Sequence, residues 1–159
     1  MTNGTEELML TTPADREIAL TRVFDAPRER VFDALTRPDL LVRWHGPRGW
    51  SLAVCDVDPR PRGAYRFVWR RGADGAEMGM RGVYRDIARP ERLVHTERFD
   101  RPWYPGEAVI STILAEAGGR TTLTVTLRYE SRAARDLVLG SRMEDGAAEA
   151  YDKLAELLR

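Results

Sequence analysis

The stretch SRAARDLVLGSRMEDGAAEAYDKLAELLR, residues 131–159, decides how the rest of the chain folds. From Met143 onward its apolar residues recur at steps of three and four, and charged residues fill the opposite side. This period predicts one amphipathic helix from Ser141 to Arg159, about 28 Å long. Ser141 and Glu144 have the spacing of a capping box, and Gly140 indicates a break after a shorter helical segment, 131–139.

Almost everything before this helix alternates as β-strands do, with turn residues between the strands. A first strand at 16–24 is followed by two short helices within 25–47, and six more strands lie within 51–129. Short turns such as Gly118-Gly119 join consecutive strands, so the pairing is antiparallel. The sequence therefore predicts an α+β domain, in which a curved antiparallel sheet of six to seven strands wraps around the long C-terminal helix. A gap is expected where the curved sheet leaves the straight helix.

Length and composition indicate one ordinary globular domain. The chain has 159 residues, of which 43% are hydrophobic and 31% charged. Residues 1–15 are polar and without period, so we expect a flexible tail there and a single domain over 16–159. Lys plus Arg and Asp plus Glu both number 25, a balance that argues against nucleic-acid binding.

The compartment follows from three further features of the sequence. No apolar run has the length of a membrane span, and the start lacks the pattern of a signal peptide. The one cysteine, Cys55, cannot form an internal disulfide. We therefore expect a cytoplasmic protein that does not insert into membranes.

Four motifs carry a resemblance to a known family. They are RVFDAPRERVFDALTRPDLLVRWHGP (22–47), RGVYRDIARPERLVHTERF (81–99), GGRTTLTVTLRY (118–129) and SRAARDLVLGSRMEDGAAEAYDKLAELL (131–158). In this order they resemble the helix-grip (SRPBCC, START-like) superfamily, which includes the major birch-pollen allergen, lipid-transfer domains and polyketide cyclases. Within it, the chain is most similar to the domain homologous to the activator of the ninety-kilodalton heat-shock chaperone ATPase. The resemblance implies a helix-grip fold with a hydrophobic cavity, and it raises a chaperone partner and a role in the stress response.

The candidate site combines an apolar wall with a few polar groups. Methionine and aromatic side chains make adaptable cavity walls, and the Trp-His-Gly-Pro turn at 44–47 lies where cavities of the superfamily often open. His95 and Glu97 are two apart on a predicted strand and share a face, where a carboxylate would raise the pKa of the imidazole. The candidate ligand-binding residues are Trp44, His45, Trp69, Met80, Tyr84, His95, Glu97 and Met143.

Each candidate also has a plainer interpretation. The apolar residues could simply pack the core, and His45 could be an exposed loop histidine. Glu97 could lie on the solvent face and pair with Arg81 or Arg98. Gly82 and Gly146 could permit sheet curvature and close helix contact, or leave room for a ligand.

Several chemistries find no support in the sequence. Two histidines and one cysteine without ligand spacing do not make a metal site, and no glycine loop suits a phosphate or dinucleotide, so we expect no cofactor. The serines lack the partners of a catalytic triad.

Three hypotheses remain. The first is binding of a small hydrophobic molecule, the second a chaperone-activating module, and the third a cyclase- or hydrolase-type enzyme that uses His95 with Glu97 as base. A monomer or weak dimer is expected, with Trp103 and Tyr104 as a contact patch if they are exposed.

Overall fold

A computed structural model describes residues 7–159, which form one antiparallel sheet and four helices. The strands are β1 (Met9–Thr11), β2 (Glu17–Phe24), β3 (Trp50–Val57), β4 (Ala64–Arg71), β5 (Glu77–Ala88), β6 (Arg92–Phe99), β7 (Ala108–Ala117) and β8 (Arg120–Arg128). The helices are α1 (Arg28–Thr36), α2 (Pro38–Trp44), α3 (Arg132–Gly140) and α4 (Met143–Leu157). Across the sheet the strands follow the order β1-β2-β8-β7-β6-β5-β4-β3.

The α+β class, the antiparallel sheet and the two short helices after the first long strand are confirmed. The strand count is corrected from six or seven to eight, because residues 9–11 pair with β2, Leu10 opposite Leu20. These three residues lie within the predicted flexible tail over 1–15, and residues 1–6 lie outside the described part of the chain.

The terminal helix is shorter than predicted. Helix α4 has 15 residues, about 22 Å at the usual rise, and it begins at Met143 rather than Ser141. The predicted capping box does not form: Arg142 occupies the N-cap in a left-handed conformation, φ 59°. The Ser141 hydroxyl instead donates to the Val138 carbonyl, 2.6 Å away, and so closes the end of α3.

Alternation along the strands places the apolar side chains between the sheet and α4. On β4, the side chains of Tyr65, Phe67 and Trp69 point inward and are buried, whereas Arg66 and Arg70 point outward. Register shifts at Leu52/Val54 in β3 and at Tyr84/Asp86 in β5 add bends that help the sheet curve around the helix.

A buried charge joins the sheet to the terminal helix. Arg22 lies on the inward face of β2 among apolar neighbours, and its side chain forms an ion pair of 2.6 Å with Asp152 of α4. Its guanidinium also lies over the ring of Phe24, 5.4 Å from the centroid.

Helix α2 closes one end of the space between sheet and helix. The indole Nε1 of Trp44 donates to the Ala34 carbonyl at 2.9 Å, and its ring stacks on Tyr151 of α4. In residues 7–159, none of the helices is long and apolar enough to cross a bilayer.

Candidate functional site

A cavity of about 310 Å³ lies between the curved sheet and α4. Its wall is formed by inward-facing residues of β4, β5 and β6, by the turn after α2 and by one face of α4. The structure brings all eight candidate residues to this wall, namely Trp44, His45, Trp69, Met80, Tyr84, His95, Glu97 and Met143.

The inward row of β4 forms the aromatic side of the cavity. Tyr65, Phe67 and Trp69 follow one another at every second residue, with ring centroids 5.0 and 5.8 Å apart. Because the period of a strand is two, three aromatic residues at these positions must share one face. His45 lies against one end of the row and His95 against the other.

His45 is part of the cavity wall rather than an exposed loop residue. Its ring stacks on Trp69 with centroids 5.4 Å apart, and it lies 4.9 Å from Phe67. Burial lowers its pKa to about 4, with smaller contributions from His95 and Lys153. At neutral pH it is therefore an uncharged imidazole. Its Nδ1 and the Nε1 of Trp69 are both buried without a hydrogen-bond partner in the described chain.

Glu97 is a half-buried carboxyl that faces the cavity. Tyr104 donates to its Oε2 at 2.9 Å, and the side chain lines the cavity. Burial raises the pKa of Glu97 to about 7, and the bond from Tyr104 opposes part of that rise. Its predicted alternative partners, Arg81 and Arg98, lie on the outer face of the sheet, opposite each other.

The predicted His95–Glu97 pair does not form, although both side chains face the cavity. The Nδ1 of His95 lies 3.2 Å from the Tyr65 hydroxyl and 3.3 Å from the Thr96 carbonyl. Burial lowers the pKa of His95 to about 4, opposite to the rise expected from a neighbouring carboxylate. His95 is therefore held by Tyr65 and Thr96 rather than by Glu97.

The loop between β6 and β7 supplies two aromatic residues for which the sequence predicted a contact patch rather than a place at the candidate site. Tyr104 is only 4% exposed and packs edge-on against Tyr129, 5.1 Å between centroids. Trp103 lines the cavity while 39% of its surface stays exposed, and it packs against Phe99. The expected contact patch is thus wrong for Tyr104. Two adjacent aromatic residues in an otherwise polar loop could have predicted this placement, since large aromatic side chains tend to be buried.

Gly146 and Gly82, the two glycines singled out in the sequence, have different surroundings. Gly146 lines the cavity, and a Cβ there would lie 3.4 Å from the Pro47 ring, an ordinary contact. At Gly82 a Cβ would overlap the Thr96 carbonyl and come within 2.6 Å of the Tyr65 ring. Gly82 therefore serves close packing of the sheet, and it lies outside the cavity wall.

The cavity wall carries a negative rather than a positive group. Among the described residues that line it, Glu97 has the only carboxyl, and none is lysine or arginine. Within residues 7–159, no three His, Cys, Asp or Glu side chains are grouped so that they could hold a metal ion.

Comparison with known proteins agrees with the fold and the motifs. The family described as Activator of Hsp90 ATPase homolog 1-like protein matches residues 25–159. No curated protein matches the chain.

Solved structures from several bacteria have the same architecture. A protein from Rhodobacter sphaeroides is 32% identical, with a TM-score of 0.90 over 96% of this chain and 97% of that one. A protein from Chromobacterium violaceum is 28% identical, with a TM-score of 0.81 over 91% of this chain and 98% of that one. The AHSA1 protein from Silicibacter pomeroyi is 23% identical, with a TM-score of 0.74 over 89% and 96%, and it shows the shared fold alone.

Proposed function

We propose that this chain, which belongs to the family of activator of Hsp90 ATPase homolog 1-like proteins, binds a small, largely apolar molecule between its sheet and α4. The observation that carries the proposal is the cavity itself. Its volume of about 310 Å³ is at the lower end of the range for small-molecule sites. Its wall is mainly aromatic and aliphatic with a few polar groups, the composition that such sites share.

The unpartnered polar atoms at one end of the cavity support a bound molecule there. Buried polar groups in folded proteins are hydrogen-bonded with few exceptions, because an unmade bond costs about 1–3 kcal/mol. The Nε1 of Trp69 can only donate, and the Nδ1 of His45 donates or accepts according to its tautomer. A ligand that places a hydrogen-bond acceptor beside Trp69 would satisfy this end of the site.

Binding without catalysis is the simpler function for this arrangement. A general base works best when its pKa lies near the working pH. Burial, however, lowers the pKa values of both cavity histidines to about 4. Glu97 titrates near 7, but it has its own partner in Tyr104 and no described nucleophile beside it.

The test is a titration with N-phenyl-1-naphthylamine, an uncharged dye that fluoresces in apolar sites, together with a thermal-shift screen of apolar metabolites. Ala147→Met extends a side chain from α4 into the cavity, and we expect it to weaken dye binding by about tenfold or more, which is 1.4 kcal/mol. Ala148→Met makes the same change on the same helix outside the wall, and we expect it to leave binding unchanged.

Two results would contradict the proposal. Either neither the dye nor any metabolite binds the folded protein, or Ala147→Met and Ala148→Met bind the dye with equal affinity. The hypothesis of a chaperone-activating module would then come first. Its test is the ATPase rate of the cognate ninety-kilodalton heat-shock chaperone with saturating protein, and an unchanged rate would exclude that role.

A further inference from the structure

The charge of the cavity wall restricts which molecules it can hold. A buried charged ligand needs an opposite charge or several hydrogen bonds to replace its hydration. Glu97 offers a carboxyl, and no lysine or arginine lines the wall within residues 7–159. Two cations that reach the core are outside the wall: Arg22 is bound to Asp152, and Lys153 is sensed only as a small lowering of the His45 pKa.

Three tyrosine phenols lie near the carboxyl of Glu97. Tyr104 donates to it, and the phenols of Tyr65 and Tyr129 lie close enough for its charge to raise their pKa values. The loop adds Trp103, whose ring centroid lies 5.2 Å from that of Tyr104. Aromatic rings attract cations and form cages for ammonium ligands, and a buried cation also needs an opposite charge such as that of Glu97.

One oxygen of Glu97 is held by the loop, and the other can meet a ligand. Tyr104 donates to Oε2 at 2.9 Å and the side chain lines the cavity, so Oε1 is the oxygen at which a ligand would bind. An N⁺–H group donating to that oxygen would make a charge-assisted bond, which is roughly twice as strong as a bond between neutral groups.

We infer that the ligand is a hydrophobic amine, bound as its ammonium ion with the charged nitrogen at Glu97 and its apolar body along the Tyr65, Phe67 and Trp69 row. This inference rests on the proposed binding function and names the chemical class of the ligand. Carboxylates and phosphates are disfavoured, because they would bring a second negative charge beside Glu97 without a cation to balance it.

The experiment compares three molecules of nearly equal size that differ in one group: 4-phenylbutylamine, 4-phenylbutan-1-ol and 4-phenylbutanoate. Each is titrated at pH 8 against bound N-phenyl-1-naphthylamine, and each is also added alone while the melting temperature is measured. We expect the amine to displace the dye at a concentration about tenfold or more below that of the alcohol, with the carboxylate weakest.

Two variants decide whether Glu97 is responsible. Glu97→Gln keeps the size and an acceptor for Tyr104 but removes the charge, so the amine should lose its advantage while the alcohol is unaffected. Glu91→Gln makes the same change at an exposed position outside the cavity and should change nothing.

The pH dependence of amine binding supplies an independent test. Glu97 has a pKa raised to about 7 by burial, while that of His95 is lowered to about 4 and those of Tyr65, Tyr104 and Tyr129 are raised. Of these facing groups, Glu97 alone titrates between pH 6 and 8. Amine affinity should therefore rise across that interval and then level off, whereas alcohol affinity should not rise.

The outcomes separate the ligand class from binding itself. If the dye binds but the alcohol or the carboxylate competes as well as the amine, the amine inference is wrong and the binding function stands. The inference is also wrong if Glu97→Gln binds the amine as tightly as the original protein. If neither the dye nor any of the three molecules binds, the binding function and the inference fail together.

Discussion

Arg22 of β2 and Asp152 of α4 form an ion pair of 2.6 Å in which one partner is buried and the other is not. The Arg22 side chain is 1% exposed, against 46% for Asp152. The Nε and Nη2 of Arg22 have no hydrogen-bond partner in the described chain, so the buried charge is compensated by Asp152 and by the ring of Phe24 beneath the guanidinium. The pair also fixes where α4 lies against the sheet.

Removing Asp152 should therefore destabilise the protein far more than its exposed position suggests. Asp152→Ala leaves the buried guanidinium of Arg22 unpaired, and we expect a loss of about 2–3 kcal/mol in the free energy of unfolding. Urea denaturation measures it. The control is Asp39→Ala, which breaks the exposed pair with Arg37 and should cost less than about 1 kcal/mol. Equal losses in the two variants would show that the buried charge is not the cause.

Glu97 should make stability depend on pH in a direction unusual for a carboxyl. Its pKa is about 7 in the folded protein and near 4.5 in the unfolded chain. The stability that Glu97 contributes is therefore complete below pH 4.5, where the carboxyl is protonated in both states, and is lost as pH rises through 7. We expect Glu97→Gln to be more stable than the original protein above pH 7, by about 3 kcal/mol. The gain should shrink to near zero at pH 4.5.

The quantity to measure is the difference in the free energy of unfolding between the original protein and Glu97→Gln, because the two cavity histidines change stability with pH in the opposite direction. Burial lowers the pKa values of His45 and His95 to about 4, so their contribution is complete above pH 6.5 and is lost as pH falls toward 4. Both proteins keep these histidines, and the subtraction removes them. A difference that does not vary with pH would contradict the assignment.

Substitution of Gly146 and of Gly82 by alanine should have opposite effects. Gly146→Ala adds a methyl group inside α4 with only an ordinary contact to Pro47, and it should stabilise the protein by about 0.5–1 kcal/mol. Gly82→Ala forces a methyl group into the Thr96 carbonyl and should destabilise it by about 3 kcal/mol. Thermal or urea unfolding of both variants checks the sign of each change.

Cys55 should be a slow nucleophile. Burial raises the pKa of its thiol to about 11, and the neighbouring Asp56 adds to the rise. Few thiolates are present at pH 8, and the greater nucleophilicity of a basic thiolate offsets only part of that deficit. We expect iodoacetamide to alkylate Cys55 at least about tenfold more slowly than free cysteine, as measured by mass spectrometry. A rate equal to that of free cysteine would contradict the buried environment.

The positions of the strands could be predicted because alternation is a local signal. Strand β4 occupies the predicted span Ala64–Arg71, and its inward row follows from a period of two. The short strand β1 could not be found, since Met9–Thr11 is too brief to show a period and depends on pairing with β2. The capping-box spacing at Ser141 was misleading, because the Ser141 hydroxyl donates to the Val138 carbonyl at the end of α3 instead of capping α4.

The candidate site was predictable in its members but not in its contacts. His95 and Glu97 do share a face, yet each side chain has another partner: the His95 Nδ1 lies 3.2 Å from the Tyr65 hydroxyl, and Glu97 accepts from a different tyrosine. The partner of Glu97 is Tyr104, which reaches it from an irregular loop. The conformation of such a loop is set by packing rather than by any period, so the residues alone did not reveal this contact.

The aromatic lining also gives the molecule an optical property. Three of the four tryptophans in the chain, Trp44, Trp69 and Trp103, line the cavity. The fourth, Trp50, lies outside it with Arg71 over its ring. Indole emission responds to the polarity of its surroundings, so the intrinsic fluorescence of this protein reports mainly on what the cavity contains. Its occupancy can be followed in real time, without a label.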